Sequence, residues 1–414
     1  MTGFNRYKKY GLPILFIFGF VYAGSTFRKG SDELKGMSLL KNNPNPYAGS
    51  ASCRNCHKDI YDTHILTAHY RDSGPADERF IKGSFDSPKN RFKLNKFTEL
   101  VMEKTDSGFF QTAYINGLPF RREAFGMVIG SGRKGQSYLY WDEDRMFQLP
   151  ISYFTPLNSW CNSPGYNTTV AYFDKAITGR CIECHGTYAK TMIGPDAVTH
   201  FDSNSIIYGI DCERCHGPSA AHVDFQTKHP GDKTAKFVTN PKSMARELKL
   251  DACALCHSGF RKEKAPPFSF LVGDRLDDFS SADYPEDKSS TLDVHGNQLG
   301  LLSSSKCFKS SLMDCSSCHN VHRNEVNDPV LFSTKCMNCH KEKSPADCTF
   351  NPPKGLVLSA NCIDCHMPLL PSRKIFLQMD NPRESTSDLV RTHRIAIYRD
   401  IAKKFVANWN KSDR

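Results

Sequence analysis

One pentapeptide, Cys-x-x-Cys-His, recurs seven times along the chain and takes up 14 of its 17 cysteines. The copies are Cys53-Cys56-His57, Cys181-Cys184-His185, Cys212-Cys215-His216, Cys253-Cys256-His257, Cys315-Cys318-His319, Cys336-Cys339-His340 and Cys362-Cys365-His366. The pattern is the attachment signal for c-type haem. Two thiols three positions apart reach the two vinyl groups on one edge of a porphyrin and form thioethers. The adjacent histidine then ligates iron axially as a neutral imidazole. A disulfide framework would not set a histidine behind every second cysteine. Zinc sites usually combine two Cys-x-x-Cys pairs per metal, and seven pairs cannot be matched off. The expected cofactor is therefore haem c, seven copies, covalently held. Supplying so much buried apolar surface, the porphyrins are expected to stand in for much of the protein core.

The net charge of +10 invites a nucleic-acid reading. Removal of residues 1–23, with Arg6, Lys8 and Lys9, leaves +7. Seven haems would add about 14 negative propionate charges and about +7 from ferric iron, which brings the loaded protein near zero. No nucleic-acid partner is expected, and many Lys and Arg side chains are read as propionate partners.

The amino terminus carries a basic stretch followed by an uncharged run from Tyr10 to Phe27, with Val21 and Ala23 suited to a signal-peptidase site. Residues 1–27 are read as a signal peptide or N-terminal membrane anchor, and 28–50 as a linker. Either reading places the body outside the cytoplasm, in the periplasm or its equivalent. Segment 51–175 holds the first motif and a β-rich insert, 176–260 motifs two to four, and 261–306 a connection free of motifs. Segment 307–366 holds motifs five to seven, and 367–414 a tail. That tail ends in a short helix near 399–409 with Ile401, Ala402, Phe405, Val406 and Trp409 on one face.

The insert is read from short runs rich in aromatic and β-branched residues, parted by turn signals at Asp106-Ser107-Gly108, Asn116-Gly117 and Asp142-Glu143-Asp144. A small antiparallel sheet over about 92–155 is expected. Elsewhere short helices and loops should wrap the porphyrins without a continuous apolar core. The fold class that follows is mainly α and loop-rich, with that one β insert.

Each iron needs a sixth ligand or stays open to substrate. Eight histidines remain outside the motifs: His64, His69, His200, His222, His229, His295, His322 and His393. His69, His222 and His322 follow motifs too closely to fold back easily onto their own haem, so they suit a neighbouring one. His295 and His393 would act as long-range clasps. These five are the expected distal ligands, and His64, His200 and His229 rank below them. Of the remaining cysteines, Cys307 and Cys348 are placed to form a disulfide, and Cys161 reads as a buried thiol.

The segments CRNCHKDIYDTHILTAH, CERCHGPSAAH, CSSCHNVH and CIDCHMP resemble the multihaem cytochromes of the cytochrome c-552/c-554 type. GSGRKGQSYLYWDEDRMFQLPISYF resembles a β-rich insert of larger bacterial members. The resemblance implies a mostly helical fold, closely stacked haem pairs and bis-His ligation involving His69, His222, His322 and His393. Pentahaem nitrite reductases of the same superfamily carry a Cys-x-x-Cys-Lys motif, which this chain lacks. Octahaem hydroxylamine-oxidising enzymes need an eighth haem.

The expected function is electron transfer through closely packed bis-His haems. Its partners would be redox proteins, such as a membrane quinol-oxidising complex or a terminal reductase, with possible membrane association through the N-terminus. One alternative is a multihaem reductase or oxidase of small nitrogen or sulfur oxyanions with one open haem. Another is an electron-transfer subunit of a larger respiratory complex.

Overall fold

The computed structural model describes residues 46–166, 169–283, 286–325, 328–340, 355–379 and 385–412. The expected leader, almost all of the linker and Cys348 lie outside these ranges, as does any Cys307–Cys348 bridge. Among the described residues no helix is long and apolar enough to cross a membrane.

Two compact units partition the chain: residues up to Ala48 with Pro218–Val238, and Gly49–Gly217 with Thr239–Arg414. In the smaller unit a helix, Ala220–Lys228, is tied by the Ala220 amide to the Pro46 carbonyl at 3.0 Å. The Phe225 ring packs against His229 at 4.4 Å, with Lys236 above it.

Strands dominate the first half of the larger unit. They are β1 (Ser73–Pro75), β2 (Arg91–Lys93), β3 (Thr98–Thr105), β4 (Gly108–Ile115), β5 (Leu118–Ala124), β6 (Met127–Ile129) and β7 (Gly135–Asp142). There follow β8 (Arg145–Gln148), β9 (Ile151–Phe154), β10 (Ser159–Asn162), β11 (Lys175–Ala176), β12 (Gly186–Tyr188), β13 (Thr191–Ile193) and β14 (Thr199–Phe201). Strands β2 to β5 form a four-stranded antiparallel meander. A nine-stranded sheet runs β1-β6-β7-β8-β14-β13, with β9 joining β7 to β10 and β11 pairing with β8. The turns are where the sequence puts them. Asn116 and Gly117 both adopt positive φ, 52° and 77°, as a two-residue hairpin demands. Glu143, at φ 56°, turns β7 into β8.

Strand β7 is buried on both faces. Tyr138 and Tyr140 point into a cluster with Phe92, Leu100, Met102, Leu149, Ile151, Trp160 and Phe173, which fuses the meander to the larger sheet. Leu139 points the other way, with Met127, Met146, Phe201 and Ile182. Ile182 lies between the two cysteines of the second motif, so that motif is nailed to the sheet by its own intervening residue.

The mainly α, loop-rich expectation is overturned. Of the described residues 31% are helical and 26% lie in strands, in several antiparallel sheets around a β-rich core. The sheet begins before residue 92 and continues past 155 to Phe201, so it is a scaffold and no mere insert. Further two-stranded ribbons are β12 with β15 (Ile207–Tyr208), β16 (Arg261–Glu263) with β17 (Ser280–Ala282), and β18 (Leu369–Gln378) with β19 (Ser385–Arg391). Many of these strands are two to four residues long, too short for a period-two pattern to register. A continuous apolar core does exist, within the sheets. The helices are mostly short and carry the motifs; the longest after Ser50–His64 is the C-terminal Arg399–Ser412, where one was expected.

Candidate haem-ligating site

Four motifs sit wholly on helical turns: Gly179–His185, Cys212–His216, Arg246–His257 and Cys362–His366. A helix puts residues three apart on one face, so both thiols of a motif share an edge and the histidine follows beside them. In the first motif the Ser50–His64 helix breaks at His57 (φ −117°, ψ 39°). The fifth opens on a short 3-10 turn, and the sixth straddles the end of Pro329–Met337. Side-chain caps fix several starts: Asp211 accepts from the Cys212 amide at 2.6 Å, and Asp314 forms a capping box with Ser317.

Motif histidines meet the extra histidines in pairs. Ring centroids of His216 and His322 are 6.1 Å apart, those of His319 and His393 6.2 Å, and those of His69 and His257 6.1 Å. Two imidazoles on opposite sides of one metal, each bonded at about 2.0 Å, place their ring centres roughly 6.3 Å apart. The residues present therefore fit an iron between each pair. Burial holds His69 and His393 down at about 4, with the facing His257 and His319 adding to the effect. The Nδ1 of His393 is buried without a hydrogen-bond partner. His295 is also held down by desolvation, and His185 is the histidine whose charge reaches it.

Hydrogen bonds orient the motif rings. Nδ1 of His185 faces Asp72 Oδ2 at 2.8 Å, that of His216 the Thr239 carbonyl at 2.9 Å, and that of His366 the Ala396 carbonyl at 2.9 Å. Nδ1 of His257 faces Gln298 Oε1 at 3.3 Å. Each bond fixes the N–H on Nδ1 and leaves Nε2 as the lone-pair donor, the tautomer that iron ligation requires. His222 shows the same arrangement, with Nδ1 at 2.8 Å from the Lys236 carbonyl. Sequence reasoning missed every one of these acceptors. Asp72, Gln298 and Ala396 each stand three residues after a histidine it had singled out, namely His69, His295 and His393.

The lower-ranked histidines are otherwise engaged. His64 is buried, with Nδ1 on the Val321 carbonyl (3.2 Å) and Nε2 on that of Ile210 (3.1 Å). His200 pairs with Asp144 and Asp196, and His229 with the Phe225 carbonyl. Within the larger unit and among the described residues, His57, His185, His340 and His366 have no histidine ring at such a separation. Cys161 is the buried thiol the sequence suggested, pushed up to about 12 by desolvation.

Thiols of different motifs approach one another. Cys53 lies beside Cys212, Cys184 beside Cys256, Cys253 beside Cys315, and Cys336 beside Cys362, each close enough to shift the other's ionisation. Cys215 lies close enough to act electrostatically on Cys253, and Cys339 on Cys318. These thiols stand in for thioether sulfurs, so their contacts mark which cofactor edges would be neighbours.

With this geometry in hand, comparison places the chain. Residues 165–217, spanning motifs two and three, match the family described as cytochrome c554 and c-prime. The fold is similar to that of the outer cell wall cytochrome OcwA, with a TM-score of 0.53 at 18% identity over 88% of this chain and 82% of that one. No curated protein matches the sequence. Together these findings support a multihaem c-type cytochrome.

Proposed function

We propose that the chain holds seven covalent haems and passes electrons among them outside the cytoplasm. The observation that carries this reading is the set of three imidazole pairs, each with its histidine from a different motif, spaced so that both rings of a pair could hold one iron. When bound, the haems supply one-electron ferric–ferrous chemistry and the conjugated edges across which tunnelling occurs. The chain supplies everything else. His216 with His322, His319 with His393, and His257 with His69 would hold the iron, and a ligand set unchanged between oxidation states would keep reorganisation small. His185 with His295 would form a fourth pair.

The thiol contacts give the order. Motif one adjoins motif three, three adjoins four, four adjoins five, five adjoins six, and six adjoins seven, while motif two joins at four. A path through six motifs follows, with the seventh haem on a side arm at motif two. Partners at its ends are redox proteins, a membrane quinol-oxidising complex or a terminal reductase. Placement outside the cytoplasm is supported by the attachment motifs, by the basic and apolar N-terminal stretch, and by the cell-wall cytochrome of similar fold.

A pyridine-haemochrome count on the purified protein, with low-temperature EPR of its oxidised form, tests the reading. Seven c-type haems are expected, with low-spin signals from those whose motif histidine would gain a distal partner. A lower count would remove a motif from the proposed order. A high-spin component that responds to added nitrogen or sulfur oxyanions would turn the reading towards an oxyanion reductase.

A further inference from the structure

Resting on the reading that motif two carries a haem, we infer that Asp72 holds that haem at a lower reduction potential than its neighbours. Three of the four motif histidines with a resolved Nδ1 partner donate to neutral oxygens, the carbonyls of Thr239 and Ala396 and the amide of Gln298. His185 donates to a carboxylate, at 2.8 Å. An anionic acceptor draws the N–H outward and leaves more electron density on Nε2, which favours ferric over ferrous iron. Reduction there adds one electron to the iron, breaks no bond, and leaves the proton on His185 Nδ1.

The carboxylate is firmly placed and uncompensated. The Asp72 amide donates to the His69 carbonyl (3.1 Å), and its own carbonyl accepts from Gly130 (2.6 Å). It stands directly before β1, which is paired to β6 in the larger sheet. Among the described residues no Lys or Arg lies in ion-pair range of it. Two buried carboxylates near the proposed distal ligand, His295, differ in this respect: Asp388 pairs with Lys134 at 2.9 Å and Asp293 with Arg373 at 3.8 Å. Asp72 is thus a positioning residue acting through His185, and it lowers the potential at the end of the side arm.

The test is a spectroelectrochemical titration of the intact holoprotein and two variants. In Asp72→Asn an amide oxygen still accepts the hydrogen bond without the charge. One component in seven should shift so that its reduced-to-oxidised ratio at fixed potential rises about tenfold, ~59 mV for one electron. Asp72→Glu should return it most of the way. A purely structural role predicts no such shift in Asp72→Asn, because the bond survives. An unmoved titration, several components moving together, or loss of a haem from Asp72→Asn overturns the inference. A wild-type chain whose Cys181–His185 peptide bears no haem by mass spectrometry would instead sink the reading on which it rests.

Discussion

For an imidazole, what matters chemically is which nitrogen is already committed. His393 and His64 differ in that respect and should answer differently to removal. His393→Ala takes one of a pair 6.2 Å from His319. The expected outcome is one iron in seven turning high-spin in EPR, with the haem count unchanged. His64 has both nitrogens on carbonyls, so His64→Ala should leave every spin state alone. It should cost stability instead, about 0.5–1.5 kcal/mol for the one hydrogen bond that a neutral ring donates to a carbonyl. His200 makes a third case. Its hydrogen bond to Asp144, then that to Asp196, raises its pKa above the ordinary 6.5. A raised folded-state value means a stabilising contribution fully present below the unfolded pKa and lost as pH rises through the folded one. Thermal melts of the wild type and His200→Gln should therefore differ at about pH 6 and converge by about pH 9.

The two large sheets meet at a buried amide. Gln111 of β4 donates from Nε2 to the Ile151 carbonyl at 2.9 Å and accepts from the Ile151 amide at 3.0 Å, completing the ladder edge of β9. Gln111→Leu fits the volume but strands both backbone groups, and should cost about 1–3 kcal/mol for each in denaturant unfolding. Much at this scale was legible beforehand: the hairpin at Asn116-Gly117, the turn at Glu143, and the C-terminal helix with its apolar stripe. The β18–β19 ribbon was not, although it places His393. Arg391, at its end, clamps the seventh motif through the Ile363 and Met367 carbonyls (2.8 and 2.9 Å) and Asp364 (3.0 Å). The segment that follows brings Ala396 to His366. Leu369–Gln378 exposes and buries residues irregularly, so alternation gave no strand signal there. The pairings themselves join segments far apart in the chain, and no local pattern encodes which distant histidine will face which motif.

Across the whole molecule, apolar packing is unevenly shared. The two larger clusters lie within residues 76–208 and 268, while those around the later motifs are smaller. A chain produced without haem attachment should therefore keep its sheet scaffold and lose the rest. Limited proteolysis followed by mass spectrometry should find first cuts after residue 239, with 73–201 surviving as a fragment; the reverse order would contradict this division. The crossing thiols have a bearing on how such a protein can be made at all. Cys53 with Cys212, Cys184 with Cys256, Cys253 with Cys315, and Cys336 with Cys362 each bring together sulfurs from separate attachment motifs. In an oxidising compartment each of those encounters is an invitation to cross-link wrongly. Maturation thus becomes a race: each motif must be capped by its porphyrin before the polypeptide closes, since an oxidant of that compartment would take two electrons and two protons from each exposed thiol pair and leave mismatched bridges that no cofactor could enter.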